Sequence, residues 1–137
     1  MSLKATATQV GSSLRHDVDV NGRHRIITDE PASMGGTDMG AAPHELLPAT
    51  LASCISTMIA LYAQRKDWEL ESLRVEVDYD TDAEPRKFTI KIHLPDGLSD
   101  DQITRLERVA ETCPVRRALE AGFTFDETTV SASEVTV

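Results

Sequence analysis

Apolar and polar positions alternate along the first thirty residues and then change period. Ala5, Thr6, Ala7, Thr8 and Val10, then Leu14, Val18 and Val20, then Ile26 and Ile27 predict three strands. Gly11-Ser12-Ser13 and Asn21-Gly22 punctuate them, and Asn-Gly is a strong tight-hairpin signal because both residues tolerate positive φ. Asp29-Glu30-Pro31 ends the third strand. Met34 to Gly40 is then a glycine-rich loop without phosphate-binding spacing. From about Pro43 to about Lys66 the apolar spacing becomes helical. Pro43 suits the first helical position, whereas Pro48 cannot donate to the His44 carbonyl, so the helix either kinks or begins at Pro48.

Leu73, Val75, Val77 and Tyr79 alternate with Arg74, Glu76, Asp78 and Asp80. Phe88, Ile90, Ile92 and Leu94 alternate with Thr89, Lys91 and His93. These patterns predict two half-buried strands joined through Asp82-Ala83-Glu84-Pro85. Ser99, with Gln102 three residues on, is a capping box that opens a helix to about Thr112. Pro114 restarts a short helix to about Ala121, Gly122 stops it, and Thr128 to Val137 predicts a last strand. The order is three strands, helix, two strands, helix, short helix, strand. That is one α+β domain over residues 1–137, with helices packed on a largely antiparallel sheet.

Composition narrows the class of partner. Aromatic residues are 4% of the chain, so the core is aliphatic, and the formal charge of −9 repels a phosphate backbone and anionic membranes. Nucleic acid and membrane are therefore excluded as expected partners. Met1 to Thr6 has no apolar core for a secretory signal, and the apolar stretch Ala49–Ala63 is too short to span a bilayer. A cytoplasmic location is expected. In that reducing compartment two cysteines are reactive, or simply packed, rather than a permanent bridge.

Those two cysteines carry the candidate chemistry. Helical steps from Cys54 reach Leu47, Leu51, Met58, Leu61 and Tyr62; the row for Cys113 is Ile103, Leu106, Val109 and Ala110. Two inward thiols on two helices can meet, as two-cysteine redox chemistry requires. A peroxide-reducing thiol must also be a thiolate, which calls for a cation to overcome desolvation, and its sulfenic acid needs a second thiol. Cys54, Cys113, an arginine and Glu45 are the available parts. Glu45 fits a capping role in the first helical turn equally well, and His44 is either a first-turn residue or a site partner. Arg116 and Arg117 follow Cys113 closely and suit either solvation or thiolate stabilisation. Trp68 reads as a packing anchor. The four histidines and two cysteines show no zinc-ligand spacing. Asp78, Asp80, Asp82 and Glu84 lack the glycine and terminal glutamate of a calcium loop, so they read as a solvated strand end.

Gly35-Gly36 through Pro43-His44-Glu45-Leu46-Leu47, then Ala52-Ser53-Cys54, resembles the OsmC/Ohr family of organic hydroperoxide reductases. Cys113-Pro114-Val115 after an amphipathic helix is similar to that family's second signature. The resemblance implies an intertwined homodimer with active sites at the subunit interface. It also implies a peroxidatic Cys54, a resolving Cys113, and reduction of their disulfide by small or lipoyl-type dithiols. In members that are peroxidases a glutamate directly follows the proline and pairs with an N-terminal arginine. Here His44 holds that place and Glu45 comes one later, a shift of ~100° around a helix, which resembles a broader OsmC-like branch. Arg15 lies closest to the family's arginine, with Arg23 and Arg25 as alternatives.

The expected function is a thiol-dependent peroxidase that reduces organic hydroperoxides, with no metal, flavin or haem, since sulfur does the redox work. The alternatives are a non-enzymatic OsmC-like protein binding an apolar small molecule at the dimer interface, and a structural dimer with inert cysteines.

Overall fold

The computed structural model of the protein describes residues 2–132. Strands β1 (Ala5–Gln9), β2 (His16–Val20) and β3 (His24–Thr28) form an antiparallel meander in the order β1-β2-β3. Asn21 and Gly22 both take positive φ in the β2–β3 turn, as the Asn-Gly pair predicted. Strands β4 (Arg74–Asp80) and β5 (Lys87–His93) form a second, separate antiparallel sheet. Two sheets therefore replace the single one expected. Helices α1 (Leu46–Arg65), α2 (Asp100–Glu111) and α3 (Pro114–Ala121) complete the fold.

The second sheet carries the core. Its register pairs Val75 with Ile92, Val77 with Ile90 and Tyr79 with Phe88, so one face of both strands is apolar. α1 lies on that face and buries a seam of Leu51, Ile55, Ile59 and Ala63 at four-residue steps. Leu106, Ala110 and Cys113 close the core from the side of α2. Removing each of the leucine and isoleucine side chains of this core from water contributes about 1.5–3 kcal/mol. The stripe expected through Cys54 is thus displaced. Leu47 and Leu61 remain 37% and 39% exposed, and Cys54, Met58 and Tyr62 flank the seam rather than form it. With apolar residues on most of α1, periodicity could not select the buried row; the neighbouring elements do.

α1 begins at Leu46 after a 3-10 turn at Pro43–Glu45. Pro48 is therefore in the first turn, where a missing N–H costs nothing, and the helix neither kinks at Pro48 nor starts there. The His44 ring meets the edge of Tyr79 at 5.2 Å, and Tyr79 stacks on Phe88 at 4.7 Å, which fastens the start of α1 to the sheet. The 23 residues Pro43–Arg65 are long and apolar enough to cross a membrane, contrary to the expectation from the shorter stretch. In this fold they form the central helix. At α2 the predicted capping box is present: Ser99 Oγ accepts from Gln102 N–H at 3.1 Å and Gln102 Oε1 accepts from Ser99 N–H at 2.8 Å. Residues 128–132 belong to no strand, so that part of the expected last strand is absent; residues 133–137 lie outside the described residues.

The β1–β3 meander has no such support. β1 is exposed throughout and Leu14, Ile26 and Ile27 are each over 40% exposed. A gap of about 330 Å³ separates Ala7, Val18 and Ile26 from Pro43 and Leu46. The meander is held mainly through the loop after β3. Thr28 bridges Ala41, and the buried Asp29 organises the turn between them. Asp29 accepts from the Thr37 hydroxyl at 2.5 Å and from the N–H groups of Glu30 at 2.8 Å, Met39 at 3.1 Å and Thr37 at 3.4 Å. The Thr37 hydroxyl and these amides outweigh desolvation and lower the Asp29 pKa from 3.8 to about 2. Chain crossings here are tight. A Cβ on Gly36 would fall 1.9 Å from the Glu30 carbonyl oxygen, and one on Gly40 2.3 Å from that of Ile27.

Asp29→Asn keeps the shape but loses the charge-assisted bonds, so it lowers thermal stability and loosens the meander. Because the folded-state pKa is depressed, the stability difference from wild type is complete above the ordinary value of 3.8 and disappears as pH falls through about 2. Melting curves of both proteins across that acid range check this.

Candidate active site

Cys54 sits on α1 one residue before the buried Ile55, half-exposed at the edge of the seam. Cys113, 59 positions later, follows α2 and caps the N-terminus of α3; it is completely buried. Its sulfur accepts from the Arg116 N–H at 3.4 Å, and Pro114 occupies the position after it, where no N–H is needed. Tertiary folding brings Cys113 close enough to Cys54 to disfavour its thiolate, with the Val115 amide as an opposing neighbour. The pair therefore straddles the first turn of α3, whose free amides and positive dipole end face the sulfurs. Both cysteines are free thiols.

Electrostatics set their state within one subunit. Burial pushes the Cys54 thiol up, and contact with Cys113 raises it further; the Val115 amide opposes both without reversing them. No guanidinium contributes. Arg25 is engaged with Asp17 at 2.5 Å across β2 and β3. Arg23 lies in the β2–β3 turn, and Arg15 precedes β2, half-buried. The Glu45 carboxylate turns back to accept from the Ala42 N–H at 2.9 Å, which is the capping role. Nine residues of helix, roughly 13 Å of rise, separate it from Cys54. Among the described residues, the chain by itself joins Cys54 to Cys113 and brings neither Arg15 nor Glu45 to them. The amides of Val115 and Arg116 were not singled out from sequence, although Cys113-Pro114 at a helix start was the signal for them.

Among the described residues no group of three or more His, Cys, Asp and Glu side chains could hold a metal ion. Asp78, Asp80, Asp82 and Glu84 lie exposed at the β4 end. There Asp80 accepts from the N–H groups of Asp82 at 3.0 Å and Ala83 at 3.2 Å, a local turn. Trp68 packs its ring edge-on against Tyr62 at 5.6 Å, as a core anchor.

The sequence profile of OsmC-like proteins matches residues 36–128, well over half of the chain and including both cysteines. The chain belongs to the OsmC-like protein family. Several solved structures share its fold. One, from Psychrobacter arcticus 273-4 and described as an osmotic stress induced and detoxification response protein, is 28% identical with a TM-score of 0.67, covering 82% of this chain and 85% of that one. An OsmC like protein from Mycoplasma pneumoniae is 19% identical with a TM-score of 0.66, covering 88% of each chain. An organic hydroperoxide resistance protein OsmC from Legionella pneumophila is 23% identical with a TM-score of 0.57, covering 87% and 89%. No curated protein matches in sequence.

The difference in exposure gives a direct expectation for this OsmC-like chain. Iodoacetamide modifies Cys54 in the native protein and reaches Cys113 only on unfolding. Because contact with Cys113 raises the Cys54 thiol, Cys113→Ala shifts the pH midpoint of Cys54 alkylation downward. Alkylation rates against pH, read by mass spectrometry, check both statements.

Proposed function

We propose that this protein is a thiol-dependent peroxidase that reduces organic hydroperoxides. The observation that carries the reading is the contact between a half-exposed thiol and a buried one, drawn together from 59 positions apart onto a helix N-terminus. Family membership, and structural neighbours described as organic hydroperoxide resistance proteins, support a peroxide-related role. Cys54 as thiolate attacks the distal oxygen of the hydroperoxide. The O–O bond breaks, the alkoxide takes a proton and leaves as alcohol, and Cys54 becomes a sulfenic acid. Cys113 then attacks that sulfur, water departs, and a Cys54–Cys113 disulfide forms. An external dithiol, small or lipoyl-type, restores both thiols and is itself oxidised to a disulfide.

The thiolate requires a cation that one subunit does not supply. We infer that a second copy of the chain supplies it in a cytoplasmic homodimer. The exposed apolar residues of the β1–β3 meander, Leu14, Ile26 and Ile27, favour this assembly, because an unsupported sheet with both faces wet is otherwise costly. Arg15, beside that sheet and held by no side-chain partner among the described residues, is assigned to the thiolate. Glu45 is assigned to orienting the arginine from the interface. The elevated Cys54 thiol favours a second reading, a non-enzymatic protein that binds an apolar molecule at the same interface.

Turnover decides between them. Wild type consumes cumene hydroperoxide with a dithiol as reductant; Cys54→Ser abolishes this, and Cys113→Ser stops after about one equivalent. Arg15→Gln slows the reaction about tenfold for each pKa unit it had contributed, and raises the pH midpoint of Cys54 alkylation. Absence of wild-type turnover, or full activity in Cys54→Ser, discards the peroxidase reading. For the assembly, sedimentation gives a dimer for wild type and a monomer for Ile26→Lys, which places a charge on the meander's apolar face.

A further inference from the structure

A second cleft lies between α1, the start of β5 and α3, and neither cysteine lines it. Its volume is about 360 Å³, within the range of small-molecule sites. The floor is apolar, built by Leu51 of α1, Phe88 and Ile90 of β5, and Leu119 of α3. Arg86, Lys87 and Arg116 stand among its lining residues with one carboxylate, Glu120. Glu120 lies 3.8 Å from Arg116, a loose contact, and Arg86 and Lys87 have no ion-pair partner among the described residues. The lining is thus doubly positive in a chain whose formal charge is −9.

That combination selects one chemistry. Apolar molecules alone would not require cations, and simple anions would not require an aliphatic and aromatic floor. In a protein this acidic, a local cluster of three cations focuses anions against the general repulsion of the surface. We propose that the α1–β5–α3 cleft binds an anionic amphipath, an alkyl chain with a carboxylate head, with the chain on Leu51, Phe88, Ile90 and Leu119 and the head at the cationic rim to which Arg86, Lys87 and Arg116 contribute. Guanidinium and ammonium groups bind a carboxylate through charge-assisted hydrogen bonds. Arg86 and Lys87 adjoin the start of β5, whose ladder with β4 holds their backbone in place. Binding here requires no thiol chemistry and stands whether or not the protein reduces peroxides.

The test is calorimetric titration of the full-length protein with decanoate below its micellar concentration, with methyl chemical shifts to locate the ligand. One saturable decanoate site per chain is expected, with shifts at Leu51, Ile90 and Leu119. Decanol binds about tenfold more weakly for want of the charged contact, and decyltrimethylammonium does not saturate the site. Arg86→Gln combined with Lys87→Gln weakens decanoate about tenfold. Both residues are exposed, so folding is unaffected. Lys4→Gln combined with Arg65→Gln removes the same charge elsewhere and leaves binding unchanged. Cys54→Ser also binds as wild type does, so loss of peroxidase activity and loss of this site are read separately. The proposal is overturned by decanol binding as tightly as decanoate, by undiminished binding in the Arg86/Lys87 double variant, by shifts confined to other residues, or by no saturable binding. It also falls if the double variant changes the sedimenting mass while decanoate fails to bind, since the cleft is then an interface between copies.

Discussion

Burial of the Leu51–Ile55–Ile59–Ala63 seam is the constraint on which the rest of the structure depends. It rotates α1 so that one row of side chains meets β4, β5 and α2, and this rotation leaves Cys54 at the border between core and solvent. Ile55, the next residue, is completely buried, so Cys54 cannot turn outward without drawing an isoleucine into water. On the other side Leu106 and Ala110 fix the end of α2, and Cys113 is carried into the same core. The thiol contact is thus a consequence of aliphatic packing; the weak sulfur hydrogen bonds orient a pair that apolar burial has already assembled.

Two anion-forming groups in this chain meet opposite fates for one reason. Asp29 receives a hydroxyl and three backbone amides, and that many donors outweigh desolvation and hold it ionised. Cys54 receives one amide, together with a thiol neighbour that disfavours its charge, and is held protonated in the single subunit. The helix N-terminus at α3 supplies directionality without enough donors. Supplying the missing positive charge from a second chain would make thiolate formation conditional on assembly, which is the physical content of the proposed site.

The two sheets divide these tasks. β4–β5 is covered on one face by α1 and reads as a conventional half-buried pair, with Glu76, His93 and Arg74 in contact on its open face. β1–β3 has regular pairing but almost no apolar support from its own chain, and depends on the Asp29 turn for attachment. Gly36 and Gly40 belong to that turn because backbone carbonyls occupy the space their side chains would need. The motif that resembles the family at its glycine end is therefore structural there, while its cysteine end is chemical.

Much was legible in the amino-acid sequence by itself. Period-two alternation, the Asn21-Gly22 turn, the Ser99–Gln102 box and Pro114 after Cys113 located five strands and three helices, because these signals are local and act within a few residues. The flanking motifs also marked both thiols and the family to which they belong. What lay beyond local signals needed the tertiary structure. α1 is apolar on most sides, so only its neighbours could choose Ile55 and Ile59 over Leu47 and Leu61 as the buried row. Which strands share a sheet, and whether a carboxylate such as Asp29 is exposed or enclosed, depend on contacts between distant residues. The encounter of Cys54 with Cys113 belongs to the same class: sequence supplied two inward-facing sulfurs, and the folding of three helices against one sheet decided that they touch.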